Sequence, residues 1–131
     1  MQKYEAPIKD IEYLFNSVFN IKKYSNLDRF KKINPETTSM ILDEASKFAK
    51  NILLPLNQSG DSEGCHFNNG EVKTPQGFKD AYNAFVEGGW SSLTFDEEFG
   101  GQGLPSIIGV IVSEMIVSTN MAFGMYPGLT Q

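Results

Sequence analysis

Asp61, Glu63, Cys65 and His66 bring carboxylate, thiolate and imidazole donors into one short stretch, the donor types from which a zinc or similar centre is built. Their spacing fits no tetrahedral zinc motif, and Gly60 and Gly64 mark the stretch as a surface turn, so the structural reading is preferred. Phe99-Gly100-Gly101-Gln102-Gly103 has the glycine density of a phosphate cradle, but no Lys-Ser/Thr pair follows it and no apolar strand precedes it. Its glycines read instead as positive-φ positions that turn the chain toward Pro105. Glu114 is the one acidic residue inside an apolar helical stretch. It is either a general base with a raised pKa or, as is commoner, the buried partner of a cation or a backbone cap. His66 stands alone in its loop, so no Ser/His/Asp or Cys/His arrangement can be assembled, and the chain carries no catalytic set and no metal centre of its own.

The elements that position these residues read as helices. Ile8, Ile11, Tyr13, Leu14, Phe15, Val18 and Phe19 recur at helical intervals after Pro7, and Leu27, Phe30 and Ile33 form a shorter amphipathic turn or helix. Asn34-Pro35-Glu36 is a helix start: a side-chain acceptor for free N–H groups, a ring suited to the first helical position, and an acid at the positive helix end. This helix is expected to turn Ile41, Ala45, Phe48, Ala49, Ile52 and Leu53 inward and to stop at Pro55. From Asn57 to Gly70 the composition predicts a loop, with a small hairpin about Asn68-Asn69-Gly70. Thr74-Pro75 repeats the cap-then-proline signal. Phe78, Ala81, Tyr82, Phe85 and Val86 then form a helical stripe closed by Gly88-Gly89, beside which Trp90 is expected to be largely buried. A turn-rich connection leads to Leu104-Pro105. From Ile107 through Val117 apolar residues occupy nearly every side, which predicts a helix surrounded by protein, and Thr119-Asn120 caps one more helix running toward Gln131. The expected architecture is all-α, a bundle of about five helices with a small irregular or hairpin insert.

Composition narrows the function. A chain of 131 residues that is 40% hydrophobic and 21% charged can bury one core. Its net charge of −5 excludes a nucleic-acid binder, since the densest basic groups, Lys22-Lys23 and Arg29 to Lys32, read as solvated helix faces. The lone Cys65 and an amino terminus without a charged region followed by an apolar one imply a reducing, cytoplasmic setting. Leu104 to Val117, interrupted by Glu114, falls short of the ~20 apolar residues of a membrane span.

In combination, Gly88-Gly89-Trp90 and Gly100-Gly101-Gln102-Gly103-Leu104-Pro105 resemble the N-terminal domain of the acyl-CoA dehydrogenases, which carries a Gly-Trp, an acidic residue and Gly-Gly-x-Gly before a buried helix. Lys47-Phe48-Ala49, Leu54-Pro55-Leu56-Asn57, Gly60-Asp61 and Gly64 are similar to the segment upstream of it. Tyr4-Glu5-Ala6-Pro7, the helix after it, and Thr74-Pro75-Gln76-Gly77-Phe78-Lys79 resemble a larger-subunit branch with an N-terminal extension, which includes long-chain acyl-CoA and methylthiopropanoyl-CoA dehydrogenases. The chain departs from the pattern at Phe95-Asp96, where relatives often carry a proline before the acid.

The resemblance implies an extension at 1–34 and an N-terminal helical domain at 35–131, to be joined in an intact enzyme by a β-barrel domain and a C-terminal helical bundle. It further implies FAD as cofactor, an acyl-CoA as substrate, an electron-transferring flavoprotein as acceptor, and a homo-oligomer. In such an enzyme a glutamate of the C-terminal bundle removes the α-proton and a hydride leaves the β-carbon for the flavin. The flavin-binding segment and that glutamate are expected beyond Gln131, which makes the chain a fragment or one piece of a split protein, inactive alone. What it is expected to contribute is acyl-pocket wall from its last helix: Phe123, Tyr126, Pro127, Leu129 and Thr130 either line the fatty tail or only pack the bundle. The competing reading is a stand-alone helical interaction module that docks a partner on that apolar helix.

Overall fold

The computed structural model describes residues 3–129. Among these are six α-helices, α1 (Ile8–Tyr13), α2 (Pro35–Phe48), α3 (Leu54–Glu63), α4 (Phe78–Glu87), α5 (Ser106–Thr119) and α6 (Met121–Gly128), and a hairpin of β1 (His66–Asn68) and β2 (Glu71–Lys73). The fold is all-α with a small hairpin insert, as the periodicity predicts. Helix α5 is central, packed against α2, α6 and the wide π turn Ala49–Leu53 that joins α2 to α3. One core runs through the whole chain: Ile11, Phe15 and Ile21 from the N-terminal segment belong to the same cluster as Leu42, Phe85, Ile108, Met115 and Phe123.

The local signals act as their chemistry requires. Asn34 Oδ1 accepts from the Thr37 N–H at 2.8 Å and Pro35 occupies the first helical position of α2. Asn69 and Gly70 both take positive φ, +50° and +84°, which closes the two-residue turn between β1 and β2.

Several expectations change. The long helix does not stop at Pro55: the Leu54 N–H reaches back five residues to the Ala49 carbonyl, and this wider turn makes room for the proline ring at the start of α3. The stretch read as a loop from Asn57 is therefore helical to Glu63. Gly60 there is buried because the Phe78 ring lies where a Cβ would stand, 2.5 Å from it. The inward face differs as well: Leu42 of α2 is fully buried, while Ile52, within the π turn, is exposed. Helix α4 starts at Gly77, in the left-handed region, with no cap from Thr74. Trp90, expected to be largely buried, packs against the core with its ring 6.1 Å from that of Phe48 and its indole nitrogen over the space that a Gly88 Cβ would take. Finally, α5 is not enclosed on all sides by this chain, since Val110 is 65% exposed.

Candidate functional site

The final helical pair builds the site. Asn120 is 1% exposed and holds two elements at once. Its Oδ1 accepts from the Phe123 N–H at 2.9 Å, capping α6, and its Nδ2 donates to the Leu53 carbonyl at 3.2 Å, in the π turn. Thr119 Oγ1 turns back on the Met115 and Ile116 carbonyls, so the α5–α6 corner has its buried polar groups satisfied. That corner places α6 between two apolar clefts.

The first cleft, about 710 Å³, lies between the hairpin, α4 and α6 and is lined by Val72, Pro75, Phe78, Tyr82, Phe123 and Tyr126 among others. The second is a groove of about 360 Å³ along the open face of α5, with Leu93 and Thr94 on one side, Gly124 and Pro127 on the other, and Gly109, Val112 and Ile116 among its lining. The sequence-predicted wall residues divide between them. Phe123 is 1% exposed and belongs to the core, tilted against Phe78 and edge-on to Phe85, so only its rim meets the first cleft. Tyr126 borders the first cleft, Pro127 lines the second, and Leu129 stands 78% exposed beyond both. Thr130 lies outside the described residues. The Tyr126 hydroxyl meets Cys65 Sγ at 3.5 Å; this hydrogen bond first, and partial burial second, push the phenol up to about 12.

Glu114 is neither a buried base nor the buried partner of a cation: it stands exposed on the open face of α5, where its charge, after burial, is the second cause of the raised Tyr4 phenol. Glu63 accepts from the Gln76 N–H at 2.9 Å and so ties α3 to the segment after the hairpin. No group of three or more donors able to hold a metal occurs among the described residues.

The glycine loop does not fit the pyrophosphate of a flavin. Such a cradle needs backbone N–H groups pointing outward. Here the N–H groups of Gly100, Gly101, Gln102 and Gly103 are spent on Glu97, Asp96, Ser92 and Phe95 carbonyls at 2.9–3.0 Å. Gly101 is required by close approach, since a Cβ there would fall 2.1 Å from the Phe95 carbonyl oxygen. The basic run read as a solvated face is in part a clamp on this loop: Arg29 pairs with Asp96, and Lys32 with Glu97 at 2.7 Å. The opposite charges of the two runs were the available signal, but nothing local placed them together.

A family model described as the acyl-CoA dehydrogenase N-terminal domain matches residues 35–131. The chain is 35% identical over 97% of its length to a 3-methylmercaptopropionyl-CoA dehydrogenase of Ruegeria pomeroyi, covering 22% of that protein. It is 27% identical over 98% of its length to a broad-specificity linear acyl-CoA dehydrogenase of Mycobacterium tuberculosis, covering 21% of it. A butyryl-CoA dehydrogenase of Syntrophomonas wolfei is 26% identical, over 98% of the chain and 22% of the relative. The chain thus spans about a fifth of the length of the curated relatives it matches.

Proposed function

Because the chain belongs to the acyl-CoA dehydrogenase family, through that family's N-terminal domain, we propose that it serves a flavin-dependent enzyme that oxidises the α,β C–C bond of an acyl-CoA thioester to the 2-enoyl-CoA. In this reading residues 1–34 are an extension and 35–131 the helical domain, FAD and the catalytic base are held by other domains, an electron-transferring flavoprotein takes the electrons, and the intact enzyme is a homo-oligomer. The names of the three relatives share an acyl-CoA and differ in its tail, which is the part an apolar wall discriminates.

The observation that carries the reading is the surface of the final helical pair: Val110, Val117, Met121, Met125 and Leu129 are exposed beside a groove lined by glycines and Pro127. Of the wall residues expected from the sequence, Pro127 would bound the acyl tail in this groove, while Phe123 and Tyr126 border the first cleft. An apolar wall excludes water from the thioester and sorts tails by length, since each buried methylene is worth about 0.8 kcal/mol, roughly fourfold in binding.

The test uses the polypeptide encoded by the whole gene, assayed for acyl-CoA-dependent reduction of an artificial electron acceptor over a series of tail lengths. Gly128→Leu adds a side chain to the groove lining at a position where a Cβ meets nothing within 4 Å, and it is expected to depress kcat/KM for the longest tails and to leave the shortest unchanged. No reduction with any acyl-CoA would sink the enzyme reading and favour an interaction module, and a length profile untouched by Gly128→Leu would remove the wall. The 131-residue chain alone is expected to retain no flavin through desalting.

A further inference from the structure

Arg29 lies in the short 3-10 turn Asp28–Lys32, ahead of the residues that the family model matches, yet its guanidinium spans the base of the glycine loop. One nitrogen donates to the Thr94 carbonyl and, at 3.4 Å, to that of Leu104, while the other pairs with Asp96. Lys32 adds its ion pair to Glu97 and reaches the Gln102 carbonyl at 3.5 Å. The two carbonyls held by Arg29 stand near the two ends of the loop, which the Leu104 N–H closes on the Leu93 carbonyl at 2.9 Å. A planar guanidinium with several N–H donors can serve all three acceptors at once; an ammonium, a point charge on a flexible stem, cannot hold the same fork.

What the clamp positions is one side of the groove. The Thr94 methyl rests where Gly109 has no side chain, since a Cβ there would lie 2.7 Å from it, and Leu93 is buried beside it. We propose that Arg29, supported by Lys32, is a positioning residue that fixes the loop wall of the α5–α6 groove, so that the N-terminal segment sets how bulky an acyl tail the groove admits. The proposal rests on the acyl-wall reading above and adds a residue from outside the matched domain. Releasing the clamp frees Thr94 to move off Gly109, which widens the groove without touching its floor.

The experiment compares the intact enzyme with Arg29→Ala, Arg29→Lys and Asp96→Asn, reading hydrogen exchange of the 93–104 segment by mass spectrometry and kcat/KM over the tail-length series. Arg29→Ala is expected to speed exchange in that segment and to change the long-to-short ratio of kcat/KM by about threefold or more, mainly through KM, with Arg29→Lys intermediate. If Arg29→Ala fails to fold, Arg29→Lys and Asp96→Asn make the same comparison. Unchanged exchange overturns the clamp. Faster exchange with an unchanged length profile in an active enzyme overturns the specificity role alone, leaving Arg29 purely structural. A wild-type enzyme inactive on every acyl-CoA sinks the specificity role together with the proposed function, while the exchange measurement still decides the clamp.

Discussion

Asn120 concentrates more of the site's architecture than any pocket residue, because one buried amide satisfies a helix start and the Leu53 carbonyl of another helix. Asn120→Ala is expected to cost about 2 to 4 kcal/mol in chemical denaturation, roughly 1 from the lost cap and about 1 to 3 from the unpartnered carbonyl. Asn120→Asp keeps the acceptor for Phe123 but turns the donor into a second acceptor facing Leu53, so it should be no milder; a cost below about 0.5 kcal/mol for either would show that water replaces the amide. Tyr126 gives a pH signature. Its phenol is raised from 10.0 to about 12, so the folded chain keeps a proton that the unfolded chain releases. The resulting stabilisation is complete below pH 10.0 and is lost as pH rises from there through about 12. Cys65→Ala removes the first cause of the rise. The last tyrosine to ionise in an ultraviolet titration should then move to lower pH, and an unmoved titration would mean that the thiol does not hold the phenol.

Among the elements, the α2–α3 junction departs most from its sequence reading. A proline inside a helix ordinarily costs about 3 kcal/mol, and Pro55 escapes that cost because the bond from Leu54 to Ala49 has already widened the turn before it. Pro55→Ala is therefore expected to change stability by less than about 1 kcal/mol, measured by thermal or denaturant unfolding, and a gain near 3 kcal/mol would show that the π turn gives no relief. Composition also hid α3, since Asn57, Ser59 and Gly60 are poor helix formers. Their propensities, each below about 1 kcal/mol, are outweighed by the packing of Phe78 across Gly60.

At the scale of the molecule, the final two helices keep one face for the core and leave another open. Met115 is 1% exposed, whereas Val110, Met121, Met125 and Leu129 are all more than half exposed. Isolated chains with such a surface bind hydrophobic dyes or self-associate. Val110→Asp combined with Met125→Lys should weaken dye binding while leaving stability within about 0.5 kcal/mol, because both positions are exposed. Undiminished dye binding would move the sticky surface elsewhere, to the N-terminal segment where Tyr13, Val18 and Phe19 are also exposed. Among the described residues no helix is long and apolar enough to cross a membrane.

The caps at Asn34 and Asn120, the turn at Asn69-Gly70, the Phe78, Ala81 and Phe85 part of the α4 stripe, whose Tyr82 and Val86 are exposed, and the family itself were legible in the residues, because each depends on interactions within a few positions or on a motif read in order. Other features depend on groups brought together from far along the chain. Arg29 and Thr94 are separated by 65 positions, and Cys65 and Tyr126 by 61, so no local pattern could pair them. The same holds for the open face of α5 and for the division of Phe123, Tyr126 and Pro127 between core and clefts. An apolar residue records only that it avoids water, and which surface covers it is settled when the helices pack.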